Sequence, residues 1–257
     1  LHDGKLAPAD VRVAPGGQID VANETAEGRH AKIERLEWAS EAATAQIVSN
    51  IPEFRRIFSG QLLKRGSRLK VQRVAILFSD LTGSTALYSR VGDAAAFRMV
   101  DDHFDVLRLA IEAHGGVVVK TMGDAIMAAF TDSGECVRAA LECLERFEQF
   151  RAGHEHGDLM GLKLGMHAGA CYVVTANGVL DYFGQTVNVA SRVQHLAHSG
   201  ELVLGKEHWS SLRDAERALL ETVGEFSQSV KGVDVPLQLV RARLAPGVSV
   251  MKAKASG

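Results

Sequence analysis

Two acidic residues stand where strongly apolar patterns end. Asp80 follows the run 74–78 closely, and Asp124 lies in the turn between the runs 117–121 and 126–130. An unpaired carboxylate beside a dry strand is costly, so each aspartate either caps a turn or is held by a cation. If the runs are antiparallel neighbours, both carboxylates reach one sheet edge, where a divalent cation would relieve their repulsion. Such oxygen ligands suit magnesium or manganese, and the alternative is two independent turn aspartates.

The elements around these aspartates follow a regular order. After the strand VAILF, a helical pattern with apolar spacing of three and four ends at Gly115-Gly116, and VVVKT and IMAAF form a tight hairpin. A second helix begins at Asp132, with Glu135 as the partner in a capping box. The predicted apolar faces of the two helices comprise Phe97, Val100, Phe104, Leu107 and Ile111 in the first and Val137, Leu141, Leu144 and Phe147 in the second.

Three further strands are predicted from LKLGMHAG, CYVVT and VLDYF, the last two joined at Asn177-Gly178 by a hairpin turn. Strand, helix, hairpin, helix, strand is the order of a ferredoxin-like βαββαβ sheet with helices on one face. The sequence therefore predicts an α+β fold of this type, with an N-terminal helical extension.

Composition limits the classes of function. The chain has 257 residues and a formal net charge of −2, so it lacks the basic field of a nucleic-acid-binding protein. An apolar run long enough to span a membrane is absent from the sequence. Of three cysteines, Cys136 and Cys143 are too far apart along a predicted helix to pair, which favours reduced thiols and a cytoplasmic location.

The chain divides into three predicted parts. Residues 1–69 contain a hairpin pattern, a long helical pattern and a basic link, and are interpreted as an extension or linker, the remnant of an upstream regulatory domain. Residues 70–245 form the main domain. Residues 246–257 are predicted to be a flexible tail.

Several motifs in series resemble one family. FSDLTGST, VVKTMGDAIMAAF, LGMHAG, LDYFGQTVNVASR and VKG occur in the order found in the catalytic domain of class III nucleotidyl cyclases, over about Val71 to Val240. The likeness is strongest to bacterial forms with an N-terminal regulatory domain. It implies the class III cyclase fold and conversion of a nucleoside triphosphate to its cyclic monophosphate and pyrophosphate.

The resemblance also implies roles for single residues. Asp80, Asp124 and the backbone carbonyl of Leu81 match the ligands of two Mg²⁺ or Mn²⁺ ions per active site. Lys120 and Asp181 match the pair that reads the base, in the pattern of adenylyl cyclases, so ATP is the expected substrate. The remaining matches are Asn188 for the ribose, Arg192 for transition-state charge, Lys231 for the triphosphate, and the phosphate-cradling turn Thr82, Gly83, Ser84 and Thr85.

The turn offers a second interpretation, because Ser84 or Thr85 could also act as a helix N-cap. Ala170 departs from the family pattern, since some members have an arginine there that meets the terminal phosphates. His167 is interpreted as a packed core histidine and not as a general base.

Assembly follows from the same resemblance. Family members complete each site with residues from two subunits, which implies a head-to-tail homodimer. The alternatives are a guanylate cyclase and a catalytically weak nucleotide-binding regulatory module; a diguanylate cyclase is disfavoured because GG[DE]EF is absent.

Overall fold

A computed structural model describes residues 68–176 and 179–253, together with Ile51, Phe54 and Ile57. The N-terminal hairpin, the long N-terminal helix and the Asn177-Gly178 turn that the sequence predicts lie outside these residues. The domain boundaries after residues 69 and 245 stay predictions.

Eight strands within the described residues form one mixed sheet, in the order β2-β3-β1-β4-β6-β8-β7, with β5 paired to β4. The first four pair antiparallel in the ferredoxin-like order, and β6 is parallel to β4. The strands are β1 (Arg68–Thr82), β2 (Val117–Met122), β3 (Ala125–Phe130), β4 (Gly161–Ala176), β5 (Val179–Phe183), β6 (Glu201–Gly205), β7 (Leu220–Gln228) and β8 (Leu237–Leu244).

The helices of the described region connect and cover these strands. They are α1 (Ser84–Val91), α2 (Asp93–Ala113), α3 (Ser133–Ala152), α4 (Gln185–Gln194), α5 (Lys206–Ser210), α6 (Asp214–Arg217) and α7 (Val250–Ala253), with a 3₁₀ turn at Gly157–Leu159. Among the described residues, no helix combines the length and hydrophobicity that a membrane crossing requires.

The two faces of β1 show how the layers form. Ala75 and Leu77 belong to the core cluster shared with α2 and α3, whereas Val74 and Ile76 face the other side of the sheet. This alternation is the period of a strand that is buried on both faces. The predicted βαββαβ order is confirmed, with α2 and α3 together on one face. Helix α4 differs, because its Ala190 packs in the cluster on the opposite face.

Helix α2 is rotated relative to the predicted apolar face. Val100, Leu107 and Ile111 are buried as expected, but Phe97 is 62% exposed. Ala96, one position earlier on the helix, takes the buried place instead. The prediction that Phe97 lies in the core is therefore wrong.

Two other elements differ from expectation. The strands predicted from LKLGMHAG and CYVVT are one continuous strand, β4. The first part of the predicted tail is anchored, since Val250 is buried and its N–H donates to Glu145 Oε2 over 2.9 Å. Helix α7 thereby packs against α3.

Candidate active site

The two aspartates lie at the same edge of the sheet. β1 and β3 are antiparallel neighbours paired as far as Phe78 and Met127, and the Ile126 N–H donates to Ser79 Oγ over 3.0 Å. Asp80 comes directly after Ser79, and Asp124 occupies the hairpin turn directly before β3. The neighbouring strands predicted from the sequence therefore exist, but β1 continues past Asp80 to Thr82, so Asp80 lies inside the strand and not after its end.

Asp80 has an ion-pair partner that the sequence did not suggest. Lys163 Nζ lies 2.7 Å from Asp80 Oδ2. The two residues are directly paired across β1 and β4, so their side chains leave the sheet on the same face. A cross-strand partner of this kind depends on register, which the spacing of motifs along the chain does not reveal.

The turn after β1 requires glycine. Gly83 has a φ of +80°, and a Cβ there would lie 1.9 Å from the carbonyl oxygen of Leu159. Gly83 is also the N-cap of α1, and the structure shows no side-chain cap bond, so the N-cap interpretation of Ser84 and Thr85 is wrong. Both hydroxyl residues instead line a cavity of about 540 Å³ together with Asp124.

The predicted base-reading residues lie together. Lys120 Nζ on β2 is 2.6 Å from Asp181 Oδ2 on β5, with side chains 36% and 9% exposed. The other carboxylate oxygen, Oδ1, accepts the backbone N–H of Tyr182 over 2.8 Å. The Lys120 ammonium also lies 5.9 Å from the centre of the Phe183 ring. Residues 61 positions apart are thus brought into one hydrogen bond.

The residues predicted for ribose and phosphates gather around α4. The Arg192 guanidinium donates to the backbone carbonyl of Lys231, which lies in the loop between β7 and β8. Gln185, at the start of the same helix, donates to the carbonyl of Gly232. Asn188 is exposed, one turn before Arg192. Side chains of the helix therefore hold the backbone of the loop that carries Lys231.

His167 has another histidine as its neighbour. His167 Nδ1 lies 3.2 Å from His208 Nε2, and the latter nitrogen also accepts the backbone N–H of Ala168 over 3.1 Å. Burial, and then the adjacent His208, lower the pKa of His167 to about 4. Ala170 is exposed, and its carbonyl accepts the Thr186 hydroxyl over 2.6 Å.

Within the described part of the chain, these residues form three separate groups. The carboxylate edge is Asp80, Asp124 and Lys163. The base-reading residues are Lys120 and Asp181. The phosphate-binding residues are Asn188, Arg192 and Lys231. The hydrogen bonds and ion pairs of the described residues do not link one group to another.

Comparison with known families gives this arrangement a context. A model of the adenylate and guanylate cyclase catalytic domain matches residues 68–239. The chain belongs to this family. The resemblance noted from the motifs is therefore confirmed, and the described region is a nucleotidyl cyclase catalytic domain.

Curated relatives of this cyclase domain carry both activities in their names. The receptor-type adenylate cyclase GRESAG 4.2 of Trypanosoma brucei brucei is 26% identical over 218 residues, which cover 68% of this chain and 37% of that protein. Guanylate cyclase 32E of Drosophila melanogaster is 28% identical over 180 residues, which cover 65% of this chain and 15% of that protein. The chain spans less than half the length of these relatives.

Solved structures agree on the fold. The adenylyl cyclase CyaB from P. aeruginosa superposes with a TM-score of 0.59 at 20% identity, covering 70% of this chain and 98% of that one. The guanylyl cyclase Cya2 gives a TM-score of 0.60 at 18% identity, covering 72% and 98%. At such identities the likeness shows the class III cyclase fold.

Proposed function

We propose that this domain is an adenylate cyclase, which converts ATP to 3′,5′-cyclic AMP and pyrophosphate at the interface of a head-to-tail homodimer. The observation that carries the proposal is the ion pair between Lys120 and Asp181. The pair supports a choice of adenine over guanine, because it offers one donor and one acceptor at a partly closed position.

The hydrogen-bonding groups of adenine and guanine explain why the placement of one donor and one acceptor matters. Adenine presents a ring nitrogen that accepts and an exocyclic amine that donates, which match the Lys120 ammonium and the Asp181 carboxylate. Guanine presents a carbonyl oxygen and a ring N–H at the corresponding positions and needs the opposite arrangement. A buried mismatch of this kind leaves polar groups unpaired, which disfavours GTP.

The carboxylate edge fits divalent cations. It offers two carboxylates, Asp80 and Asp124, and the backbone carbonyl of Leu81, all hard oxygen ligands. The Lys163 ammonium already lies at Asp80, so this edge accepts a positive charge. When bound, Mg²⁺ or Mn²⁺ would activate the ribose 3′-hydroxyl and neutralise charge on the triphosphate.

The protein's own groups would hold the remainder of the substrate. The left-handed Gly83 leaves the backbone N–H groups at the start of α1 open to phosphate oxygens. Arg192 would stabilise charge that develops on the phosphates, Lys231 would bind the triphosphate, and Asn188 would orient the ribose. Lys231 would carry more of the triphosphate charge here, because Ala170 stands where some relatives have arginine.

The separation of the three groups supports a shared site. Among the described residues of a single chain, no hydrogen bond or ion pair joins the carboxylate edge to the base-reading residues or to the phosphate-binding residues. A two-fold symmetric dimer would bring the carboxylate edge of one chain to the other two groups of its partner, twice. The head-to-tail dimer itself is inferred from the family resemblance.

The test is a product assay of the purified chain with Mn²⁺ and either ATP or GTP, resolved by chromatography. We expect cyclic AMP, with ATP preferred by at least about tenfold. Lys120→Ala should reduce that preference, and Lys206→Ala, in an exposed ion pair with Glu225, is the matched control. Equal rates on both triphosphates would remove the base-reading role, and no product from either would favour a nucleotide-binding regulatory module.

A further inference from the structure

The ion pair between Lys163 and Asp80 has a consequence for metal binding. The two charged atoms lie 2.7 Å apart, and the side chains are only 19% and 23% exposed. We propose that Lys163 is an internal competitor of the divalent cation, which holds Asp80 until a metal ion displaces its ammonium group. This inference rests on the proposed function, because it takes Asp80 as a metal ligand.

Competition follows from the size and charge of the two cations. A carboxylate oxygen that accepts a short hydrogen bond from an ammonium group has lost much of its capacity to coordinate a metal ion. An ammonium group at that distance would also be a near neighbour of any metal ion on Asp80, and like charges repel strongly where water is partly excluded. Coordination of a divalent cation by Oδ2 of Asp80 therefore requires Lys163 to move.

The sheet supplies a place for the displaced ammonium. On the other side of β4, Lys163 is directly paired with Glu201 of the parallel strand β6. Oε2 of Glu201 lies 3.1 Å from Arg241 Nε and 3.2 Å from His198 Nδ1, and it accepts the backbone N–H of His198 over 2.9 Å. Among the described contacts, Glu201 Oε1 has none. Lys163 therefore lies between two carboxylates, one on each neighbouring strand, and a change of rotamer exchanges Asp80 for Glu201.

Two states of one side chain result. In the metal-free state the ammonium neutralises Asp80 and limits repulsion within the carboxylate edge. In the metal-bound state Glu201 holds the ammonium, and its charge remains near the site without blocking the ligand. Lys163 would thus be a positioning residue that sets the metal concentration at which the site fills.

The experiment measures binding of Mn²⁺ alone to the full chain, by the electron paramagnetic resonance signal of free Mn²⁺, without nucleotide. Removal of the competing charge in Lys163→Met should tighten binding by about threefold to tenfold, as expected for one partly exposed ion pair. Lys163→Arg keeps a cation at the position and should stay close to the wild type. Lys206→Met removes an exposed lysine elsewhere and should change nothing.

Asp80→Ala defines which part of the binding belongs to this edge. Lys163→Gln, compared with the wild type by thermal unfolding, provides a second neutral side chain if the methionine variant folds poorly. Unchanged or weaker Asp80-dependent binding in the neutral variants overturns the competition. If neither the wild type nor these variants bind Mn²⁺ through Asp80, the metal assignment in the proposed function also fails, so the two failures are distinguishable.

Discussion

Charged side chains pair at similar distances in two regions of the domain, but the pairs differ in access. At the C-terminal end of α2, His114 lies between two carboxylates of α3, with Glu135 at 2.9 Å and Glu142 at 2.8 Å. Arg146 closes the group, 2.6 Å from the other oxygen of Glu142. The side chains of His114 and Glu142 are 5% and 2% exposed. Of these pairs only His114 with Glu142 is buried on both sides, because the side chains of Glu135 and Arg146 are 39% and 30% exposed.

In the candidate site, each pair has at least one partly exposed member. Lys120 is 36% exposed against 9% for Asp181, and Lys163 and Asp80 are 19% and 23% exposed. A short ion pair alone therefore does not mark a functional site. The closed group, which is His114, Glu135, Glu142 and Arg146, stabilises the packing of helices. In a partly exposed pair, a ligand can replace one of the two partners.

The largest expected effect is the loss of activity when a carboxylate of the candidate site is removed. Asp80→Ala and Asp124→Ala should each reduce cyclic AMP formation by about 10³-fold or more, because both carboxylates are proposed to hold the catalytic cations. The unfolding temperature should stay close to that of the wild type, since neither residue belongs to the buried core. A coupled assay of pyrophosphate release and a thermal melt measure the two quantities.

The control for these variants is Asp105→Ala. Asp105 is an exposed aspartate of α2 that pairs with Arg108 at 3.4 Å, outside the candidate site. Its loss should leave activity unchanged. Substantial activity in either site variant would contradict the role proposed for the carboxylate edge.

The next effect tests whether the groups of the open region act across two chains. Homodimers of Asp80→Ala and of Asn188→Ala should each be nearly inactive. A mixed dimer collects both lesions in one site and leaves the other intact, so random pairing should restore roughly a quarter of the wild-type activity. The two variants are co-expressed with different affinity tags, and activity is measured before and after isolation of mixed dimers.

Two variants that both lie in the carboxylate edge provide the control. Asp80→Ala mixed with Asp124→Ala should stay inactive, because each site of the mixed dimer carries a lesion. Verified mixed dimers of Asp80→Ala and Asn188→Ala without activity would mean that one chain completes its own site or that another partner does.

The closed group should respond in the opposite way. Glu142→Ala removes the partner of both His114 Nε2 and Arg146, so we expect a loss of about 2–4 kcal/mol in the free energy of unfolding. Activity per folded molecule should change by less than about twofold, because the group contacts no proposed substrate ligand. Urea unfolding followed by circular dichroism measures the loss.

Glu148→Ala, which removes an exposed partner of Arg151 on the same helix, is the matched control. It should cost less than about 1 kcal/mol. Equal losses in the two variants would show that burial does not distinguish the closed group from an ordinary surface pair.

The local patterns of the sequence were sufficient for the order of the βαββαβ core but did not predict β6, β7 and β8. Apolar spacing predicted the hairpin around Asp124 and the helix after Asp132. The Asp132 side chain caps this helix, since its Oδ1 accepts the backbone N–H of Glu135 over 2.9 Å. The expected capping box is only half present, because the Glu135 carboxylate binds His114 instead.

Long-range partners could not be predicted in this way. The pair of Lys163 with Asp80 depends on the register of β1 and β4, and the burial of Ala96 in place of Phe97 depends on the rotation of α2. The sequence motifs contain no information about the strand register or about the rotation of the helix. The pair of Lys120 with Asp181 was suggested only by the family resemblance, since the residues lie 61 positions apart.

His167 differs from both regions, because its partner at 3.2 Å is a second histidine, His208, whose Nε2 also lies 3.4 Å from the exposed carboxylate of Glu207. Burial first, and the neighbouring His208 second, lower the pKa of His167 to about 4. In the unfolded chain a histidine titrates near 6.5, so the unfolded state binds the extra proton first as the pH falls. The stabilisation from neutral His167 is therefore complete above about pH 6.5 and is lost as the pH falls toward 4.

His167→Gln should weaken the pH dependence of unfolding in this window by at most about 1.4 kcal/mol per pH unit, measured by urea unfolding at several pH values. His195→Gln, which changes an exposed histidine after α4, is the control and should keep the wild-type slope. Identical slopes in all three proteins would mean that other buried groups, among them His208, account for the acid sensitivity.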